Sequence, residues 1–282
     1  MANSEKINAA GMIPFLLVHL VCFAGFWVGI SPVAVWIAIA TLFIRMFSLT
    51  AGYHRYFSHR SFRTNRVFQF ILALIGTSAG QMGPLWWAAH HRHHHLHSDT
   101  EKDIHPPTLK GFWWSHMGWV LCEKYYGNYD FNLVRDLEKF PELRWINRNA
   151  VWSPFILGVI LFVTGTILEV RVPQLHTTGA QLTVWGFFIS TVILYHVTFS
   201  INSLSHTVGS KRFHTSDTSR NNFLLGLLTM GEGWHNNHHR YPSSERQGFF
   251  WWEIDIAHYI LKILSVVGVV SDLKKPPKEA YQ

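Results

Sequence analysis

The chain has 282 residues, of which 48% are hydrophobic and only 15% charged, against about 25% charged in an ordinary soluble domain. With thirteen Trp and 21 Phe, this balance points to a membrane protein with a substantial extramembrane part; the net charge of +7 is informative through its location. Two cysteines, Cys22 and Cys122, exclude a disulfide framework, a zinc ribbon and an iron–sulfur cluster.

The N-terminus, Met1-Ala2-Asn3-Ser4-Glu5-Lys6, lacks the basic segment of a cleaved signal, so the first apolar runs are expected to be retained. A transmembrane helix needs about 20 mostly apolar residues. Residues 12–30 and 33–51 fit, divided by the turn Gly29-Ile30-Ser31-Pro32, and so do 150–170 and 182–201. Residues 67–89 form a fifth apolar stretch without a charged residue. Its Gly76-to-Gln81 interior suits close packing better than lipid. Residues 249–270 are predicted to form an amphipathic surface helix, because Glu253, Asp255, His258 and Lys262 interrupt them. The polar tail 272–282 is expected to be frayed.

Of the 24 Lys and Arg residues, twelve lie between Gly52 and Asn149 and nine after Ser203. Positive charge concentrates on the cytoplasmic side of membrane proteins, so both long polar regions and both termini are expected there. Interleaving of this charge with Trp and Phe beside the spans argues against a nucleic-acid surface.

Nineteen histidines gather mainly in three clusters, His54 with His59, His90 to His97, and His235 with His238 and His239. Neutral imidazole is the commonest protein ligand for transition metals. One shared site requires an even number of membrane crossings between clusters, so residues 67–89 must not span. Four spans as two hairpins follow. In His235-x-x-His238-His239 the later rings lie about 60° and 40° to either side of the first on a helix. The second cluster fits that spacing in two registers, His90/His93/His94 and His91/His94/His95, with His97 in addition. His54 and His59 would diverge by about 140° on a regular helix, so the helix is expected to end or bend between them. Asn202 and His206 share one helical face at the end of the fourth span.

The motifs Thr50-Ala51-Gly52-Tyr53-His54-Arg55, His59-Arg60-Ser61-Phe62, His91-Arg92-x-His94-His95, Asn202-x3-His206 and Gly231-Glu232-Gly233-Trp234-His235-Asn236-Asn237-His238-His239 resemble those of membrane-bound fatty acyl desaturases of the stearoyl-CoA and cyanobacterial Δ9 type. The resemblance covers nearly the full length and implies a single desaturase domain over 1–282. It implies an all-α integral membrane protein with a cytoplasmic helical cap, formed by 52–149 and 203–271, that houses a di-iron site. The family's second motif has Arg directly after its first histidine, which selects His91, His94 and His95. The implied ligands of two iron ions are then His54, His59, His91, His94, His95, His206, His235, His238 and His239, with Asn202 reaching one iron through water. No catalytic residue beyond the metal ligands is implied.

The implied reaction inserts a cis double bond, at Δ9, into a saturated acyl chain, using dioxygen and two electrons. Its partners are an acyl substrate (on coenzyme A, acyl carrier protein or a lipid), the membrane, and an external electron donor such as a ferredoxin or a b-type cytochrome. A basic face favours an acidic donor. The alternatives are another histidine-motif oxidase, hydroxylating an alkane, sterol or carotenoid, and a histidine-rich metal transporter. A transporter would carry polar ligands in mid-membrane, where the spans hold only His19, Arg45, Glu169 and His196.

Asp99, Asp103, Asp217 and Glu232 are candidate hydrogen-bond partners of metal-bound imidazoles, with His105, His196 and His214 further out. His19, His116, His176 and His258 read as structural. A narrow apolar tunnel is expected between spans and cap, with Trp86, Trp87, Trp113, Trp114, Trp119, Trp234, Trp251 and Trp252 as candidate walls. Arg60, Arg63, Arg66, Lys211, Arg212 and Arg220 are candidates for contact with substrate phosphates.

Overall fold

In the computed structural model, residues 5–281 are described. The first apolar run forms α1 (Ala9–Val28), and Gly29 ends it with φ +70°, a conformation that glycine alone adopts without strain. Ser31 then caps α2 (Pro32–Ser58): its hydroxyl accepts from the Ala34 amide at 3.1 Å, and Pro32 takes the first helical position. Phe26 and Trp27 are more than 80% exposed and Trp36 is 69% exposed, surfaces that suit lipid rather than water.

The fifth apolar stretch does not form one long helix. It breaks into α3 (Arg66–Thr77) and α4 (Pro84–His97), joined by a turn in which Gly80 and Met82 have φ of +72° and +64°. At 12 residues, α3 is shorter than the roughly 17 needed to span a bilayer. Gly76 lies so close to the Tyr53 ring of α2 that any Cβ there would collide with it. A short helix, α5 (Pro141–Arg148), closes the start of α4. The Asn147 side-chain oxygen accepts from the Leu85 and Trp86 amides at 3.2 and 3.0 Å, satisfying two N–H groups that a helix leaves open.

Two more long helices follow, α6 (Trp152–Arg171) and α7 (Gly179–His206). Thr178 and Gln181 form a reciprocal capping box at the start of α7. Its last three residues, Leu204–His206, tighten into a 3-10 turn. Four helices, α1, α2, α6 and α7, are thus long and apolar enough to cross a membrane. The remaining helices used below are α8 (Phe223–Leu228), α9 (His235–Arg240) and α10 (Ile256–Val266).

The C-terminal region differs from expectation in two respects. Residues 249–255 are not helical; α10 begins only after Asp255, which caps it by accepting from the His258 amide at 3.0 Å. Glu253 and Asp255 are buried at 1% exposure, because Glu253 accepts from the Phe249 and Phe250 amides and Asp255 meets an arginine. The tail is also ordered. β1 (Arg63–Thr64) pairs antiparallel with β2 (Val270–Ser271), and the Lys274 amide donates to the Ser61 carbonyl at 2.9 Å.

Arg55 ties these distant segments together. Fully buried, it donates to both Asp255 oxygens at 2.9 and 3.1 Å, to Glu232 Oε1 at 3.1 Å and to the Glu245 carbonyl at 2.7 Å. Removing one partner of a buried ion pair leaves a desolvated charge, at a cost of about 3–5 kcal/mol. Asp255→Ala is expected to destabilise the protein by about that much in denaturant melts of the detergent-solubilised chain. A loss below about 1 kcal/mol would show that Arg55 does not need this partner.

Candidate metal centre

The histidines of all three clusters converge in the structure, but they form two groups. His54, His59, His91, His95 and His238 make one; His94, His206, His235 and His239 make the other. Within each group the candidate ligand nitrogens all lie within 4.8 Å of one another. These are the nine histidines named above from the sequence.

Local geometry accounts for the division. Residues at i and i+4 diverge by only about 40° on a helix, whereas i+3 and i+4 are about 100° apart. On α4, His91 and His95 therefore turn to the first group while His94 turns to the second. On α9 the assignment is reversed: His235 and His239 join the second group and His238 the first. The three rings of each helix thus straddle two sites rather than sharing one.

His54 and His59 meet by a different device. The last eleven residues of α2, Ser48–Ser58, are wound as a π-helix, with hydrogen bonds from i+5 to i. The His59 amide accordingly donates to the His54 carbonyl at 3.2 Å, and the two ring centroids lie 4.8 Å apart. The wider turn returns the fifth residue to the same side, and the helix ends at Ser58.

The other histidines of the second cluster point elsewhere. His90 bonds through Nδ1 to the Trp86 carbonyl at 2.8 Å, His93 bonds through Nε2 to the Lys102 carbonyl at 2.9 Å, and His97 packs on His93. His105 lies against His94, with ring centroids 4.3 Å apart. His214 is exposed, and His196 is bonded to His19 and His116.

Four carboxylates orient the rings. Nδ1 of His94 meets Asp103 at 2.9 Å, Nδ1 of His206 meets Asp99 at 3.1 Å, Nδ1 of His239 meets Asp217 at 2.6 Å, and Nδ1 of His54 meets Glu232. All four were candidates from sequence. Gln247 was not: its side-chain amide donates to Glu232 at 2.9 Å and approaches His54 Nδ1 at 3.2 Å, although nothing in its sequence position signals this. Burial alone would raise Asp99, but hydrogen bonds from His206 and Thr218 outweigh it and hold the carboxyl at about 2. Asp103 and Asp217 are pushed down in the same way.

A carboxylate on Nδ1 fixes the N–H there and leaves Nε2 with a bare lone pair. In His54 and His206 that lone pair faces another imidazole nitrogen, on His238 at 3.0 Å and on His235 at 3.1 Å. In His94 and His239, Nε2 is buried without any hydrogen-bond partner. Converging, unpartnered lone pairs are what a cation satisfies, so these residues fit a metal centre. Burial first, and then the neighbouring rings, hold His59, His91, His95, His235 and His238 well below the ordinary imidazole range, in the neutral form that binds metal.

Beside this centre lies a cavity of about 740 Å³, within the range of ligand sites. One face of α7 lines it, through Phe187, Thr191, Tyr195, Thr198 and Asn202. Fifteen residues of helix separate the ends of that face, so the cavity follows α7 for roughly 22 Å. Pro14, Phe15 and Val18 of α1 also line it, and His54, His91, His94, His235 and Glu232 stand at the metal end, where Asn202 also lies. Of the eight tryptophans considered, Trp86, Trp87 and Trp119 are walls. Trp113, Trp251 and Trp252 are exposed instead, while Trp114 and Trp234 donate to the Ile104 and Ile254 carbonyls.

The arginines considered for phosphate contact already have partners within the chain. Arg60 pairs with Asp136, Arg63 with Asp272, Arg66 with Glu142 and Arg212 with Glu253. Lys211 and Arg220 donate to the carbonyls of Asp217 and Gly209. A second cavity of about 520 Å³, lined in part by Lys102, Lys110 and Lys124, shares His90 with the first.

Two outcomes test this centre. His94→Ala is expected to lower the metal content of the purified chain, by elemental analysis, while His90→Ala leaves it unchanged. The depressed imidazoles set the pH response. A buried histidine such as His239, lowered from 6.5 to about 4, adds stability at neutral pH that is lost as the pH falls between those values. The chelator-stripped protein should therefore melt at progressively lower temperature below pH 6.5. A melting temperature that stays flat from pH 7 to about 5 would contradict this.

Comparison with known proteins yields consistent results. A sequence model of the family described as fatty acid desaturase matches residues 30–264. A sn-1 stearoyl-lipid 9-desaturase of Anabaena variabilis is 34% identical over 280 residues, covering 99% of this chain and 98% of that protein. An acyl-CoA C20 Delta5-desaturase of Anemone leveillei is 35% identical over 246 residues, covering 86% of this chain and 74% of that protein. A chloroplastic palmitoyl-monogalactosyldiacylglycerol delta-7 desaturase of Arabidopsis thaliana is 34% identical over 239 residues, covering 84% and 61%.

Proposed function

This chain belongs to the fatty acid desaturase family, and on that premise we propose that it inserts a cis double bond at Δ9 of a saturated acyl chain at a di-iron centre. The observation that carries this reading is the convergence of nine imidazoles at one end of an elongated cavity. The five-histidine group would hold one iron and the four-histidine group the other, with Asn202 reaching the second through water. The four carboxylates hydrogen-bonded to these imidazoles place negative charge behind both groups. A pair of irons, when bound, supplies dioxygen with the electrons needed to form an oxidant that removes hydrogen from an unactivated methylene.

The protein's own residues do the positioning. Phe15 and Val18 of α1 and Phe187 and Tyr195 of α7 exclude water along the cavity and hold the chain extended. Trp87 and His91 stack with centroids 5.0 Å apart, so the cavity wall and a ligand ring are fixed together. Asp99, Asp103, Asp217 and Glu232 keep the proton on Nδ1 of their histidines, and Nε2 stays turned inward. Which methylene stands beside the centre is set by how far the chain enters along α7.

We infer further that the chain is one domain of four spans arranged as two hairpins, with the centre and both termini on the cytoplasmic side. The clustering of Lys and Arg in 52–149 and after Ser203 supports that orientation. The acyl group arrives on coenzyme A, acyl carrier protein or a lipid. Lys102 and Lys124 of the second cavity, whose lining also includes Glu101, Asp103 and Asp130, would meet an anionic head group. Electrons come from an external donor such as a ferredoxin or a b-type cytochrome, and the net charge of +7 favours an acidic one.

Fatty-acid profiling of a host expressing the chain tests this function. A new monounsaturated acid with its bond at Δ9, located by mass spectrometry, is the expected product, and a hydroxylated product would overturn the reading. His235→Ala should abolish desaturation; retained activity would overturn the metal assignment. Val18→Trp, which narrows the cavity from α1, a helix that carries none of the nine histidines, should shift the product toward shorter chains at unchanged metal content.

A further inference from the structure

The carboxylates around the metal centre are unevenly shared. Three of them hold histidines of the four-imidazole group: Asp103 on His94, Asp99 on His206 and Asp217 on His239, at 2.9, 3.1 and 2.6 Å. Among the described residues, no lysine or arginine side chain pairs with any of these three. Their remaining bonds come from neutral donors, such as Thr218 on Asp99 and Ser219 on Asp217.

The five-imidazole group has a different environment. Its one carboxylate, Glu232 on His54, is shared with the buried guanidinium of Arg55 at 3.1 Å. A second guanidinium, Arg92, donates to the Phe57 and Ser58 carbonyls immediately before His59, but its charge is met by both oxygens of Asp136, at 2.7 and 3.1 Å. One half of the centre thus has carboxylates on three of its four imidazoles, and the other has a carboxylate on one of five, shared with an arginine that also meets Asp255 and Glu245.

We propose that the two halves bind metal with different affinity: the four-imidazole half takes the first divalent cation and releases it last, and the five-imidazole half is the labile one. This rests on the two-metal reading above. The fifth imidazole acts in the opposite direction, but it is a neutral donor. Hydrogen-bonded partners of metal ligands are each worth about 10–100-fold in affinity, so two additional carboxylates amount to about 10²–10⁴-fold. In a buried site the attraction of a fixed charge for a divalent cation is weakly screened.

Asp99 allows the charge to be removed with little change in geometry. All three of its side-chain hydrogen bonds, from His206 Nδ1, the Thr218 amide and the Thr218 hydroxyl, fall on Oδ2, while Oδ1 has no partner. Asp99→Asn can place its amide nitrogen at the Oδ1 position and retain each bond.

The test is a cobalt(II) titration of the full chain in detergent micelles after chelator stripping, followed by absorption and elemental analysis. Two binding steps at least tenfold apart are expected. Asp99→Asn should weaken the tight step by about 10–100-fold and leave the other in place. His239→Ala should remove the tight step, and His59→Ala should affect only the weak one; this pair locates the steps even if Asp99→Asn fails to fold. Two equal sites, or a tight step lost in His59→Ala and kept in His239→Ala, would overturn the proposal while leaving the two-metal reading intact. Fewer than two cations per chain would overturn that reading itself.

Discussion

Nine imidazoles converge, and four of them are held with Nε2 lone pairs turned inward, an arrangement that a cation would satisfy. The rest of the structure is organised around holding that arrangement in place. Burial suppresses the escape route of protonation by keeping the rings neutral. Carboxylates on Nδ1 of four of the rings suppress the other escape routes, a shift of the proton to Nε2 and a flip of the ring. Hydrogen bonds hold the carboxylates in turn: Asp217 by Thr215 and Ser219, Asp99 by Thr218, Glu232 by Arg55 and Gln247.

This chain of supports explains features that look unrelated to metal binding. Arg55 follows His54 in sequence, yet its guanidinium reaches the C-terminal segment at Asp255 and Glu245. The tail is ordered because that segment is fastened on both sides, to Arg55 and, through Lys274, to Ser61. Four histidines of the ring cluster line the same cavity as α1 and α7, so the helix faces and the rings belong to one packed unit.

Much of the site was legible in the sequence because chemistry limits which residues can serve. Histidines in repeated i, i+3, i+4 spacing, acidic residues near them and an even number of apolar spans left few arrangements. The failures share a cause. Glu253 and Asp255 looked like the polar face of a surface helix, since sequence records a charge without recording the amides and the arginine that bury it. The six cations considered for phosphate contact also have partners that sequence does not record, and Arg60, Arg63 and Arg66 remain more than 60% exposed beside theirs. Tryptophans near the histidine clusters could be wall or surface with equal ease, and only Trp86, Trp87 and Trp119 became wall.

The sequence, read with its family resemblance, named the nine histidines that meet, because imidazole spacing by itself fits two registers in the second cluster. The parity of membrane crossings added only that residues 67–89 do not span. Tertiary structure alone decided how the nine divide. Helical periodicity fixes the angle between His91, His94 and His95, but which ring faces which neighbour depends on how α4 and α9 pack. It also decided how His54 reaches His59, through a π-helical turn that no local propensity announces, and which carboxylate stands behind which ring. Each of these is a contact between segments far apart in the chain, and sequence spacing carries no information about such distances.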